Sequence, residues 1–271
     1  MSEPLTPDPK DLPGVAGRDF RSTKNESMNL PASKLPMVEE PVPGRDFRAS
    51  FSWRIFRIMA EFVDGWQFLA DFKKTVTFFG SARFGPDNHW YQEAEKLARM
   101  LAGADFDVIT GGGPGIMEAA NRGAHEVHRH HGGALINAKQ VGDSIGLNIK
   151  LPFEQRINPF VDKAIAFHYF FVRKVMLSYY AQAYVYFPGG FGTLDEAFEL
   201  ITLRQTRKID RRIPIVMVGK EFWQPLAQWL EQHLYKQFKT IDKEDMDIFH
   251  IVDTAEEAFD IVKHAPERTE F

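Results

Sequence analysis

The sequence predicts the α/β class, a parallel sheet covered by helices on both faces. Three observations carry that prediction. Short apolar runs alternate with amphipathic stretches of roughly 10–15 residues, the pattern of strand–helix–strand units. Two of the apolar runs end in glycine-rich loops that open helices, the place where open α/β sheets bind ligands. And 44% hydrophobic residues in a chain of 271 supply a sizeable core.

The order begins with a helix. Phe51, Ile55, Ile58, Met59, Phe62, Trp66 and Leu69 recur at spacings of three and four, which predicts an apolar helix face over 51–72. A helix this apolar must be covered, by the following domain or by another subunit. Thr75–Gly80 (TVTFFG) is rich in β-branched and aromatic residues and reads as a buried strand. An amphipathic helix over Tyr91–Leu101 leads to a second strand, Phe106–Thr110, and a second helix, Gly115–Val127. Strands follow at Ser144–Leu151 and, more briefly, at Ala164–Phe167, before a helix over Phe170–Ala181. Tyr184–Phe187 (YVYF) is a strand and Thr193–Arg204 a helix. Pro214–Gly219 (PIVMVG) is a strand bounded by turn residues, followed by a helix over Trp223–Tyr235. A short strand at Phe249–Val252 and a helix over Ala255–His264 close the series. The expected organisation is a tail over 1–50, the aromatic helix 51–72, one α/β domain over 73–265 and a short tail over 266–271.

The tail is distinct. It holds 8 of the 16 prolines, which remove backbone donors and break helices, so no regular element is expected there. Gly17-Arg18-Asp19-Phe20-Arg21 recurs as Gly44-Arg45-Asp46-Phe47-Arg48. Chance in a biased segment is the plain reading. A docking motif with Phe as anchor and Arg as clamp is the sharper one.

Composition removes several functions. With no cysteine there are no disulfides, thiolate metal sites or thiol nucleophile. With 33 basic against 37 acidic residues there is no protein-wide basic field for nucleic acid. No apolar run reaches the roughly 18 residues of a membrane helix, and the first residues lack the basic and apolar parts of a signal peptide. The expectation is a soluble cytoplasmic protein. His125, His128, His130 and His131 crowd together without an accompanying carboxylate motif, so they read as a solvated helix end rather than a metal site.

The two glycine loops are Thr110-Gly111-Gly112-Gly113-Pro114-Gly115-Ile116-Met117-Glu118 and Phe187-Pro188-Gly189-Gly190-Phe191-Gly192-Thr193-Leu194-Asp195-Glu196. Unpaired amides and the dipole at a helix start make an anion site, most often for phosphate. Neither loop carries a P-loop or dinucleotide fingerprint, since Ile116 stands where a third glycine is required.

On these residues the chain resembles the LOG family, the cytokinin riboside 5′-monophosphate phosphoribohydrolases, long labelled lysine decarboxylases. The resemblance rests on the triple-glycine loop Gly111–Met117, on PGGxGTxxE at Pro188–Glu196, and on the Arg173-Lys174 pair of the intervening helix. It covers about Thr75 to His264. The stretches SIGLNIKLPFEQ and FHYFFVRK look like a longer bacterial branch, to which AMP nucleosidase-like activity is also assigned. It implies a Rossmann-like doubly wound sheet, cleavage of a nucleoside 5′-monophosphate to free base and ribose 5-phosphate, no cofactor or metal, and at least a homodimer. The chain departs from the family in its tail and first helix, and in extra residues around His128–Asp143.

The residues suit that chemistry. N-glycosidic hydrolysis develops positive charge on the ribose, which a nearby carboxylate stabilises while orienting or deprotonating water. Glu196, one turn beyond Gly192 and Thr193, fits that role. Arg173 can bind a phosphate or hold Glu196 ionised. Gly189, Gly190, Gly192 and Thr193 are the expected phosphate cradle. Ser81, Arg83, Gly112, Gly113, Met117, Glu118 and Lys174 are the expected substrate contacts. Two alternatives stand: a protein that senses a nucleotide without cleaving it, and a decarboxylase, whose pyridoxal phosphate would need Lys174 as its Schiff base.

Overall fold

The computed structural model describes residues 47–131, 141–150 and 157–266. The repeated GRDFR, most of the proline-rich tail, the side chains of His128, His130 and His131, the LPFEQ stretch and the C-terminal tail lie outside the described side chains. The chain divides into two units, Met1–Arg57 and Ile58–Phe271. The boundary falls inside the first helix, α1 (Phe47–Leu69).

The larger unit is built on a seven-stranded, all-parallel sheet. Its strands are β1 (Thr75–Phe79), β2 (Asp107–Thr110), β3 (Ser144–Ile149), β4 (Lys163–Phe167), β5 (Ala183–Tyr186), β6 (Ile215–Val218) and β7 (His250–Val252). Their spatial order is β4-β3-β2-β1-β5-β6-β7, so the chain winds outward from β1, returns beside it as β5, and winds out the other way. This is the expected doubly wound sheet. β1, β3, β5 and β6 are buried along their whole length, while the edge strands β4 and β7 are partly exposed.

Side chains alternate across the sheet into two cores. Val76, Phe78, Val108 and Val185 point into one, with the helices α2 (His89–Ala102), α3 (Ile116–His131) and α7 (Ala255–Val262). Phe79, Ile109, Tyr184 and Tyr186 point into the other, with the end of α1 and the helices α4 (Phe170–Tyr179), α5 (Phe191–Gln205) and α6 (Lys220–Trp229). Among the described residues no helix is long and apolar enough to cross a membrane.

Two expectations are corrected here. The helix after β6 is not uniform: α6 contains Pro225, and the chain continues as a π-helical stretch over Leu230–Gln237, sealed by Phe238 N–H on His233 O at 2.8 Å. The buried stripe of α1 also differs from the apolar one. Ile58, Phe62 and Leu69 face the core, whereas Met59 and Trp66 are exposed. The reason is Gly65. A Cβ there would stand 3.0 Å from Met176 Sδ and from Phe167 Cε1, so α1 lies tightly against α4 along Glu61, Gly65 and Leu69. A residue without a side chain contributes nothing to an apolar period.

The first glycine loop is anchored by a buried polar network. Asn121 Oδ1 accepts from Thr110 Oγ1 at 2.6 Å and from Asn158 Nδ2 at 2.9 Å. Asn121 Nδ2 donates to Ser144 Oγ at 2.9 Å and to Ile145 O at 3.3 Å. Asn158 also holds Gly112 O and Gly113 O, at 2.9 and 3.0 Å. Deleting a member leaves buried groups unpaired, which is dearer than never having had the bond. Asn121→Ala is therefore expected to lower stability by about 2 kcal/mol or more, read as a denaturant midpoint. An unchanged midpoint would show that the network is dispensable.

Candidate active site

Where the winding reverses, between β1 and β5, the loops part and leave a cleft of about 1080 Å³. The β1 loop supplies Gly80, Ser81 and Arg83. The β5 loop supplies Pro188, Gly189, Gly190, Gly192, Thr193 and, one turn on, Glu196. Gly111 and Met117 come from the β2 loop, and Phe170, Arg173 and Leu177 from α4. Phe84, Trp90 and Phe222 add an aromatic lining, with Glu221 beside Phe222 in sequence, that helical and strand periodicities do not reveal.

The β5 loop is built for an anion. A Cβ on Gly189 would lie 2.1 Å from Thr193 Oγ1, so only glycine lets the loop fold onto α5. Around Gly190 and Gly192, by contrast, a Cβ would meet nothing within 4 Å. No side chain caps α5 and no acid occupies its first turn. Its leading amides therefore face the cleft with the positive end of the helix dipole and no protein group to answer them. Thr193 is buried beside them.

The β2 loop, which the general rule for glycine loops at helix starts would also make an anion site, is built differently. Ile116 N–H, at the start of α3, donates to Ser81 O at 3.0 Å, and Gly112 N–H to Thr110 Oγ1 at 2.9 Å. Gly115 has φ +73°, and a Cβ there would come within 2.2 Å of Ser81 O. These amides brace the cleft instead of offering themselves to a ligand. Gly112, Gly113 and Glu118 do not line it. The two glycines are held by Asn158, and Glu118 accepts from Tyr91 Oη at 3.2 Å.

Glu196 is 9% exposed, and among the described residues its carboxylate has no hydrogen bond or ion pair. Burial raises its pKa to about 7, against the pull of the Arg173 and Lys174 charges and with the push of Asp195 and Glu199. Tyr186 Oη donates to its backbone oxygen at 3.0 Å and fixes this turn of α5. Arg173 is pushed down by burial, while the Glu196 charge pulls it up. Its Nε is buried with no hydrogen-bond partner, and its guanidinium lies 5.1 Å from the centre of the Phe170 ring. A buried donor without an acceptor, beside a buried carboxylate without a donor, is an arrangement that a polar ligand would complete.

Lys174 points elsewhere. It is hydrogen-bonded to Asp195 and lies 3.4 Å from Glu199. Burial pulls its pKa down, but the two carboxylates outweigh this and hold it above the ordinary lysine value. An amine so held is protonated and paired, not the free nucleophile a Schiff base requires. His125 is not merely solvated: its Nδ1 lies 2.6 Å from Asp162 Oδ1. Among the described residues no group of three or more His, Cys, Asp or Glu side chains could hold a metal ion.

Comparison with known proteins agrees with this architecture. A family model described as possible lysine decarboxylase matches residues 117–262. The probable cytokinin riboside 5′-monophosphate phosphoribohydrolase LOGL3 of Oryza sativa subsp. japonica is 28% identical over 139 residues, 49% of this chain and 58% of that protein. The cytokinin riboside 5′-monophosphate phosphoribohydrolase LOG3 of Arabidopsis thaliana is 25% identical over 172 residues, 62% of this chain and 72% of that protein. The chain thus spans little more than half the length of the rice relative. Among solved structures, the molybdenum cofactor carrier protein from Chlamydomonas reinhardtii superposes with a TM-score of 0.52 at 18% identity, over 71% of this chain and 98% of that one, a likeness of fold. With the family model matching more than half of its length, the chain belongs to the possible lysine decarboxylase family, that of the LOG phosphoribohydrolases.

Proposed function

We propose that the protein is a nucleoside 5′-monophosphate phosphoribohydrolase, acting on AMP or on a cytokinin riboside 5′-monophosphate. The observation that carries the reading is the pairing of α5's unanswered amides with a buried carboxylate one turn further along the same helix. The 5′-phosphate would sit on the Gly190–Thr193 amides and the Thr193 hydroxyl, which directs the ribose toward Glu196. As the bond from C1′ to the base nitrogen breaks, its electron pair leaves with the base, which takes up a proton. The Glu196 carboxylate stabilises the charge on the ribose ring and accepts a proton from the water whose oxygen bonds to C1′. The Arg173 charge favours the ionised form of Glu196, against the larger effect of burial. Ser81, Arg83 and Met117, which line the same cleft, complete the substrate contacts. The reading includes no cofactor. It also includes a homodimer or larger homo-oligomer, favoured by the exposed Met59, Val63 and Trp66 of α1.

Purified protein mixed with AMP should release adenine and ribose 5-phosphate, followed by chromatography of the base. Glu196→Gln and Arg173→Ala should each lose at least about a hundredfold in kcat while remaining folded. If no 5′-monophosphate in a panel of purine, pyrimidine and N6-substituted substrates yields free base, the reading fails.

The carboxylate is the active form in this mechanism, so kcat/KM should rise with pH through the Glu196 value of about 7 and flatten above it. A rate that falls across the same interval would reverse the assignment and make Glu196 an acid. Stability should run the opposite way. Because folding raises this pKa from 4.5 to about 7, the folded state binds its proton more tightly. The resulting penalty is absent below the unfolded value, grows as pH rises between the two, and is complete above the folded one. Glu196→Gln should therefore be more stable than the parent protein near pH 8 by roughly 1–3 kcal/mol. That difference should vanish near pH 4. Thermal melts at the two pH values test this.

A further inference from the structure

The helix that carries Arg173 starts without a cap of its own. Tyr169 occupies the N-cap position of α4 but makes no side-chain capping bond, and the first turn holds no acid. The missing cap comes from 107 and 108 residues away. Glu61, on α1, accepts from His168 N–H through Oε1 at 2.7 Å and from Tyr169 N–H through Oε2 at 3.0 Å. Each carboxylate oxygen thus holds one amide at the positive end of a helix dipole.

Arg173 depends on that end of the helix. Its own N–H donates to Tyr169 O at 3.2 Å, so it lies one turn from the clamped residue. Among the described residues no hydrogen bond or ion pair fixes its guanidinium: Nε is unpartnered, and the near neighbour is the ring of Phe170 in the same first turn. Where Arg173 stands is therefore set by the backbone of this turn. One turn along α1 from Glu61, Gly65 brings the two helices close, and Leu69, a turn further, is fully buried. Glu61, Gly65 and Leu69 form one stripe, and its polar member is aimed at the start of α4.

From this geometry we infer that Glu61 is a positioning residue, which holds the first turn of α4, and with it Arg173, against the catalytic carboxylate. The α1 helix is then part of the active-site framework and not an appendage to the domain. Arg173 lowers the pKa of Glu196 by its charge, so an Arg173 that drifts leaves Glu196 harder to ionise.

The kinetic arm of the test rests on the phosphoribohydrolase reading, and a spectroscopic arm does not. Glu61→Gln keeps the size of the side chain and removes its charge. The substitution should lower kcat on AMP by about tenfold or more, with KM little changed, and should move the lower pH limb of kcat/KM upward. In the same variant, Glu196 followed by carboxylate carbon NMR should titrate at higher pH than in the parent protein. Glu61→Asp, which retains the charge, should recover part of both effects. A parent protein that releases no base would sink the activity, while the NMR titration would still decide the role of Glu61. A folded Glu61→Gln with parental kcat and an unmoved Glu196 titration overturns the inference. Should Glu61→Gln not fold, the Glu61→Asp titration and hydrogen exchange at the Tyr169 amide decide it. A parental Glu196 titration with an unprotected Tyr169 amide rejects the clamp.

Discussion

The cleft depends on the backbone of one residue, Ser81. Its carbonyl receives the amide of Ile116 and its own amide donates to Pro188 O, both at 3.0 Å. A single peptide segment at the end of β1 thus ties the β2 loop on one side to the β5 loop on the other. Such a junction requires the chains to approach without side chains between them. Gly115, at 2.2 Å from Ser81 O for any Cβ, makes room on the first side. Gly80 makes room beneath, where a Cβ would meet the Ile116 side chain at 2.7 Å. The division of labour between the two glycine loops follows. The Ile116 amide, at the start of α3, is spent on the junction, whereas the leading amides of α5 are left over.

The leftover amides are matched by a second imbalance. Glu196 and Arg173 are both withdrawn from water, and each shifts toward its neutral form through burial. In a low-dielectric setting charges act strongly on each other and on whatever enters. A pair of this kind destabilises the empty protein, and in the phosphoribohydrolase reading proposed above it would favour a substrate that develops charge between its members. The neighbouring Lys174, Asp195 and Glu199 form the contrast. They pair with one another nearer the surface and act on Glu196 only through their charges.

The linear order of residues revealed most of this, and for definable reasons. Strands and helices of the sheet follow local periodicity, so Thr75–Phe79 or Ile215–Val218 stand almost where the apolar runs do. Glu196 was legible because Gly189–Thr193 precede it within a single turn, and short motifs preserve geometry. What was not legible depends on residues far apart in sequence. Glu61 looks like any solvated acid on an apolar helix until α4 is placed beside it. Asn158 looks like a loop residue until its backbone N–H and its side-chain amide are seen to hold one carbonyl each of the β2 loop. Gly65 is silent in any apolar pattern, yet it sets which face of α1 is buried. Glu118 was misleading in the reverse sense: its place in a glycine motif is genuine, but its carboxylate turns to Tyr91 on α2.

The glycines of the β5 loop fall into two classes with different constraints on change. At Gly189 the neighbour is Thr193 of the same protein, so replacement is resisted by the fold and would surface as misfolding whatever the cell requires of the cleft. At Gly190 and Gly192 the space is empty of protein, so replacement is resisted only by what comes to occupy it. Replacement at those two positions is expected to leave the fold intact and to fill only the space over the leading amides of α5.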